Sequence, residues 1–377
     1  MKQPHIILVN KMYAPDIGGV ETVVAQYAKS LQKLGRVTVV CASRHLCLRT
    51  TVEKIDGVRV IRCASLGTFW SMPLSLFFPI WVLLLSLTAN VVHFHEPFPL
   101  GTLAAILVSF RRTAVTWHSD IVRQKFAGRL FQRIQMAELR TADLVTATSP
   151  NLARCSSFLS RLRKPILTLP IWIDADDYPE RERLSRLATL PERYLLFLGR
   201  LSYYKGVDVL LDAYEGCETA VPLVVIGSGE LAPLVATRVR ELRERGRQVL
   251  FVDRHVSEVE KHSAIAHCEC FLFPSTAESE AFGITQLEAM VYGKPVINTS
   301  LPTGVPWVSE HERTGLTVEP GDAAGLAAAI DRITTDSGLR RRLSEQCRPR
   351  VEQLFERRAV EPLLLGAYSQ LLAEHVA

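Results

Sequence analysis

The stretch Cys270-Phe-Leu-Phe-Pro274, followed by Glu280-Ala-Phe-Gly283-Ile-Thr-Gln-Leu-Glu288-Ala-Met290, sets the reading of the whole chain. An apolar run ending in proline, a loop carrying Gly283 and a helical pattern that stops before Gly293 spell strand, loop and helix. That order brings the N–H groups of a helix N-terminus to the end of a strand, a geometry suited to an anionic phosphate. Glu288 falls on the helix and Glu280 in the loop before it, so the two carboxylates reach different parts of one ligand. Carboxylates accept hydrogen bonds from adjacent hydroxyls, the groups that ribose and hexose present. Alone, two glutamates eight residues apart also fit an ordinary surface helix.

Outward from this stretch, short apolar β-rich runs alternate with helical patterns, the signature of parallel α/β domains. In the front half the spacing predicts strands at His5–Val9, Val37–Cys41, Val58–Arg62, Val91–Phe94, Ala114–Trp117 and Leu144–Thr148, with a helix over Val20–Leu34. The pattern breaks near Pro170–Tyr178, where a linker is expected. A second set then follows: Tyr194–Leu198, Leu223–Ile226, Val249–Val252, Cys270–Pro274, Pro295–Asn298 and Leu316–Val318. A helix over Ala323–Thr334 and a long C-terminal helical region complete it. With 377 residues the chain is long enough for two cores. The expected fold is therefore α/β, two Rossmann-like domains facing a central cleft, with ligands at the carboxyl ends of the strands.

Three further clusters sit at expected strand ends. Gly199-Arg200-Leu-Ser-Tyr-Tyr-Lys205-Gly206 places Arg and Lys on a glycine-flanked loop that can hold both phosphates of a diphosphate. Asp16-Ile-Gly18-Gly19-Val-Glu21 carries paired glycines at the first strand-to-helix turn, which permit close backbone approach by a ligand. It lacks the third glycine of a dinucleotide fingerprint, so an NAD enzyme is poorly supported. Thr116-Trp117-His118-Ser119-Asp120 sets a histidine at another strand end.

Charge is uneven along the chain. Residues 1–175 hold 21 Lys+Arg against 9 Asp+Glu, a net +12, and the remainder 23 against 30, a net −7. Eight cysteines without a repeated spacing read, for the most part, as small buried hydrophobes in a reducing compartment. The opening MKQPHIILVN has no apolar core of signal-peptide length, so export is not expected. From Cys63 to Val92 there is no charged residue, and Leu74–Thr88 is strongly apolar. Fifteen residues with an internal Pro79 fall short of the roughly 20 that a span needs, so an interfacial or buried helix is expected.

Taken together, these clusters resemble the GT4 family of retaining GT-B glycosyltransferases, which includes bacterial mannosyl- and hexosyltransferases of surface-glycan assembly. The likeness runs through Gly18-Gly19-Val-Glu21, His93-Phe-His95-Glu-Pro97, His118-Ser119-Asp120, Gly199-Arg200…Lys205-Gly206, Gly227-Ser-Gly229, Glu280…Glu288-Ala-Met and Thr314-Gly315-Leu316. It implies that Arg200 and Lys205 bind the donor diphosphate, Glu288 the ribose hydroxyls and Glu280 the transferred sugar. The amides of Ala281, Phe282 and Gly283 would line sugar and phosphate, Gly19 beside Gly18 would approach the phosphate, and His118 would contact the donor sugar. Arg254 to Val256 would hold the base, largely through backbone. The domains implied are 1–173 on the acceptor side and 174–358 for the donor, with the helix 359–377 crossing back onto the first.

The resemblance also implies front-face departure of the diphosphate without a carboxylate nucleophile. No cofactor or metal is expected beyond the GDP- or UDP-linked sugar itself, since Arg200 and Lys205 supply the cation's role. The string Asp174-Ala-Asp176 lies in the linker and is not read as a metal site. Leu301-Pro-Thr-Gly-Val-Pro-Trp307 departs from the family's usual pattern and bears on the sugar pocket and the donor. The acceptor expected is a glycan, lipid-linked, reached by a cytoplasmic protein peripheral on the cytosolic face of the plasma membrane. Nucleic acid is not an expected partner. The motivation is the basic front half, the uncharged stretch from Cys63 and the run Arg111–Lys164 with 11 Lys+Arg, Arg123, Lys125 and Arg129 among them. The alternatives are a nucleotide-sugar epimerase of the same architecture and a catalytically silent nucleotide-sugar-binding partner.

Overall fold

His5-Ile-Ile-Leu-Val9 has no polar alternation, and all five residues are buried, as a strand covered on both faces requires. In the computed structural model, which describes residues 3–16, 18–69, 72–120 and 129–373, this strand lies inside an eight-stranded sheet. The order is Leu167–Thr168, Leu144–Ala147, Arg112–Trp117, Val91–Glu96, His5–Val9, Arg36–Ala42, Val58–Cys63 and Thr51–Ile55. All pairs are parallel except the last, where Thr51–Ile55 runs back along Val58–Cys63. Helices α1 (Gly19–Leu31), α2 (Phe78–Ser86), α3 (Pro99–Leu107), α4 (Arg129–Thr141) and α5 (Pro150–Cys155) make the connections. Parallel crossovers are right-handed. The chain crosses the sheet one way through α1 and the other way through α2, α3 and α4, so α1 lies on one face and those three on the opposite face.

A second sheet is all parallel, in the order Val249–Val252, Leu223–Ile226, Leu195–Leu198, Cys270–Leu272, Val296–Thr299 and Gly315–Val318. Its helices are α6 (Val207–Gly216), α7 (Ala232–Glu244), α8 (Glu258–His267), α9 (Ile284–Val291), α10 (Val305–Val308), α11 (Ala323–Thr335) and α12 (Ser337–Leu354). The final helix is α13 (Arg357–Ala373). Packing divides the chain into two compact Rossmann-like units, Met1–Ile171 with Val360–Ala377, and Trp172–Ala359. Each has its own apolar core.

The strands expected from the sequence form within two residues of their expected ends. Two edge strands escaped that reading. Thr51–Ile55 is mixed in polarity and largely exposed, and Leu167–Thr168 is two residues long, so neither carries a periodic signal. The apolar stretch 74–88 condenses into α2, with Pro79 in its first turn. Phe78, Val82 and Ser86 are buried while the opposite face is open, so the helix is not simply buried. No described helix is long and apolar enough to cross a membrane. All eight cysteines are free thiols. Arg123 and Lys125, named above for membrane contact, lie outside the described residues, as does the side chain of Arg129.

Helix α13 joins the first unit through one stripe. Val360, Leu364, Tyr368 and Leu371 are buried at near-helical spacing. Lys33 pairs with Glu361 at 2.8 Å, and Arg112 Nη1 donates to the Leu371 carbonyl at 2.9 Å. Leu364→Ala removes a fully buried side chain from this stripe and is expected to lower stability by about 2–4 kcal/mol. Native-state hydrogen exchange on peptides from His5–Val9 and Val91–Glu96 checks it; unchanged protection contradicts the packing role of α13.

Candidate active site

In the second unit the strand order reverses direction between Leu195–Leu198 and Cys270–Leu272, and the loops leaving these two strands diverge from one point. The first loop carries Gly199, Arg200, Lys205 and Gly206; the second runs from Phe273 to Gly283. Lys205 Nζ meets Glu280 Oε2 at 2.5 Å, with both side chains largely buried. Ser275 Oγ donates to the same carboxylate at 3.3 Å, and the ammonium lies 5.0 Å from the Phe273 ring centroid. The two loops touch because Gly206 adopts φ 65°, and a Cβ there would sit 2.0 Å from the Pro274 carbonyl oxygen. Arg200 is exposed at the same strand end, and no described residue holds its guanidinium.

Gly283, with φ 83°, ends the second loop and starts α9; a Cβ would strike the Phe273 ring at 2.7 Å. Among the described residues no acceptor takes the N–H groups of Ala281, Phe282 or Gly283. The carbonyl side of the loop is tied down. Gly304 N donates to Ala281 O at 2.8 Å, and Gln286 Nε2 donates to Phe282 O at 2.8 Å and to Val305 O at 3.1 Å. The Trp307 indole packs against Phe355 at 4.9 Å and Phe282 at 6.3 Å. The segment that departs from the family pattern therefore braces the loop from behind.

Glu288 lies on α9, buried, with Lys261 Nζ of α8 on Oε1 at 2.9 Å. Burial pushes its carboxyl above the usual range against the opposing pull of Lys261. Arg254 gives both terminal nitrogens to Glu260, at 2.6 and 3.1 Å, while Glu260 closes a capping box with Ser257. The Arg254 side chain is thus engaged inside its own unit. Asp174 pairs with Arg357 at 3.1 Å, an anchoring contact inside this unit.

In the first unit the strand order reverses between His5–Val9 and Val91–Glu96. Gly18 caps α1, and a Cβ on it would meet the Glu21 carboxylate at 2.2 Å, whereas one on Gly19 would meet nothing within 4 Å. Gly19 is the open position of the two. His118 follows Arg112–Trp117, and its N–H donates to Glu96 O at 2.8 Å. Its ring is nearly fully buried, with Nε2 shared with His95 Nδ1 at 3.0 Å. The motif's Asp120 accepts from Trp117 Nε1 at 2.8 Å and Ser156 Oγ at 2.6 Å, which makes it a tether for the loop.

Two groups here received no role from the sequence. His93 and His95 alternate along one strand, so their rings share a face and stack at 4.4 Å. His93 hydrogen-bonds Tyr368 on one nitrogen and Thr116 Oγ1 at 2.7 Å on the other. The period-two spacing His-x-His was the available signal. Glu96 and Glu138 are both buried on the other face of that sheet; burial, then the carboxylate opposite, raises Glu96, and burial pushes Glu138 to about 8. Their proximity joins a strand to α4 and is invisible in the sequence.

Burial holds His93 and His118 at about 3 and His95 well below 6.5. All three stay neutral in the folded chain, yet each takes up a proton on unfolding once the pH drops below its unfolded value near 6.5. Stability is therefore lost as pH falls from about 6.5 toward 3, by about 1.4 kcal/mol per pH unit for each histidine. Urea midpoints between pH 7 and 5 measure the slope. His93→Gln should make it shallower; an equal slope refutes the buried-neutral assignment.

The sequence profile of glycosyl transferases group 1 matches residues 180–350, and that of Glycosyltransferase Family 4 matches residues 17–176. The chain is 29% identical over 374 residues to O-antigen chain mannosyltransferase C of Escherichia coli, covering 98% of this chain and 99% of that protein. It is 33% identical over 276 residues to D-rhamnosyltransferase WbpZ of Pseudomonas aeruginosa, covering 72% and 71% respectively. Sucrose-phosphate synthase from Thermosynechococcus elongatus shares the fold at TM-score 0.76 and 23% identity, over 98% of this chain and 100% of that one. Two parallel-sheet units with loops gathered at their switch points, and relatives along the whole length, place this chain in Glycosyltransferase Family 4, as a glycosyltransferase of GT-B architecture.

Proposed function

We propose that the chain transfers a hexose, mannose before others, from a GDP- or UDP-linked donor to a lipid-linked glycan acceptor with retention of configuration. The observation that carries the reading is the Lys205–Glu280 pair at the switch point of the second sheet, in a chain whose full length aligns with an O-antigen mannosyltransferase. Lys205 has three N–H donors; Glu280 takes one, and two remain for a diphosphate. Arg200, exposed at the same strand end, adds a second cation. The open amides of residues 281–283 suit the phosphate and sugar oxygens. Glu280 is sized to accept from sugar hydroxyls and Glu288 from those of ribose, while the backbone at 254–256 suits the base. In the other unit Gly19 leaves room for close approach by a phosphate, and His118 Nδ1 suits a sugar hydroxyl.

In this reading the diphosphate leaves with its developing charge on Arg200, Lys205 and the N-terminus of α9. The acceptor hydroxyl then enters on the same face and gives its proton to the departing phosphate. No divalent cation is needed, because the two side-chain cations stabilise the leaving group and Asp174 is spent on Arg357.

Incubating the protein with a panel of nucleotide sugars, with and without lipid-linked acceptors, tests the reading. Transfer or slow hydrolysis of one donor is expected; isomerisation of a nucleotide sugar without acceptor would instead mark an epimerase. Arg200→Ala is expected to reduce turnover roughly 30- to 1000-fold, from the loss of about 2–4 kcal/mol of leaving-group stabilisation. Lys205→Ala should lose at least as much, since it also strands the buried Glu280; near-wild-type turnover in both variants overturns the phosphate assignment. EDTA is expected to leave the rate unchanged, and loss of activity restored by Mg²⁺ or Mn²⁺ would refute metal independence.

A further inference from the structure

Helices α2 and α3 are neighbours on one face of the first unit's sheet, joined at their inner sides by the edge-on contact of Phe78 and Phe98 at 5.1 Å. Neither contains a charged residue. An outer helix on an α/β sheet normally turns a polar face to water; these two do not. On α2 and its flanks Phe77, Ile80, Leu84 and Leu87 point outward at helical spacing. On α3 and its flank Leu103, Ile106, Leu107 and Phe110 do the same, and all eight side chains are between 44% and 57% exposed. A contiguous apolar face of this kind marks a contact surface.

The exposed charge around this face is predominantly basic. Among the described side chains from Leu74 to Asp143 there are four arginines, Arg111, Arg112, Arg133 and Arg140, and four carboxylates, Glu96, Asp120, Glu138 and Asp143. Glu96 and Glu138 are buried, Asp120 is held by Trp117 and Ser156, and the exposed Asp143 accepts from the Thr113 N–H at 2.8 Å. Arg111 bonds the Leu87 carbonyl beside the apolar face and lies over the Phe110 ring. Arg133 and Arg140 are exposed on α4, the next helix of the same layer.

We propose that this face docks on an anionic lipid bilayer, with the α2 and α3 side chains at the headgroup–acyl boundary and the arginines of the rim against phosphate headgroups. A bilayer supplies both partners at once: an apolar layer for the uncharged helices and negative charge around it. A protein partner would need an apolar patch ringed by carboxylates. The lipid-linked acceptor proposed above is not a premise of this docking face, which rests on exposure and charge alone.

Co-sedimentation with phosphatidylcholine vesicles, with and without phosphatidylglycerol, tests it on the full chain. Wild type should bind the phosphatidylglycerol vesicles more tightly, and added salt should weaken that binding. Ile80→Gln with Leu84→Gln, or Ile106→Gln with Phe110→Gln, should lower the partition coefficient at least about tenfold. Arg133→Glu with Arg140→Glu should abolish the preference for anionic lipid. Leu234→Gln, an equally exposed leucine on α7, should change nothing. Circular dichroism confirms folding, and donor hydrolysis should be unaltered in every variant, so a failed transferase assay and a failed docking face are told apart. Wild-type binding to neither vesicle overturns the proposal, as does full binding by both apolar double variants. Dissociation of an oligomer by those variants in analytical ultracentrifugation, with vesicle binding unchanged, assigns the face to a protein contact instead.

Discussion

A parallel strand cannot return through a tight turn, so each crossover leaves from the carboxyl edge of the sheet and re-enters at the opposite one. Each loop that leads from a strand of the parallel sheets into its crossover helix therefore lies on that carboxyl edge. Where the strand order reverses, two such loops diverge and their side chains face the same space. In the second unit this brings Lys205 and Glu280, 75 positions apart in sequence, to 2.5 Å. The contact depends on backbone as much as on charge: Gly206 leaves room for the Pro274 carbonyl, and Gly283 leaves room for the Phe273 ring. Without those two glycines the loops could not approach closely enough for the ion pair to form.

Burial then sorts the polar groups of the site by what they can still do. Glu280 and Glu288 each keep a lysine beside them, which offsets the desolvation of a carboxylate in a nearly water-free position. The histidines of the first unit have no such partner. Burial keeps His93, His95 and His118 neutral, and stacking and hydrogen bonds to Tyr368, Thr116 and each other orient their rings. A neutral His118 with Nε2 engaged by His95 has only Nδ1 left to donate or accept. Tyr368 comes from the last helix, so the order of this cluster depends on a residue 275 positions from His93.

The two faces of the first unit's sheet are dressed differently. α1 and α13 meet on one side through buried apolar stripes and the Lys33–Glu361 pair. On the other, α2 and α3 bury their inner sides equally well but leave an uncharged outer side. Burying the inner face alone satisfies folding. The apolar outer face is in excess of what the core needs, and for that reason it reads as a contact surface.

What the sequence determined by itself was everything that depends on neighbours along the chain. The strand positions, the two Rossmann-like sets and the loop glycines followed from period and composition, because a strand buried on both faces must be continuously apolar and a strand-end turn must tolerate close backbone approach. The motif residues Arg200, Lys205, Glu280, Glu288 and His118 were legible for the same reason. Tertiary structure alone decided which of them meet. Pairing of Lys205 with Glu280, of Lys261 with Glu288 and of Arg254 with Glu260 depends on register between separate elements or on local helix geometry. Which rings Trp307 packs against, Phe282 and Phe355, is visible only in the packing. The Glu96–Glu138 proximity and the apolar face shared by α2 and α3 likewise depend on crossover handedness, which sets the face of the sheet each helix covers and which no local pattern encodes.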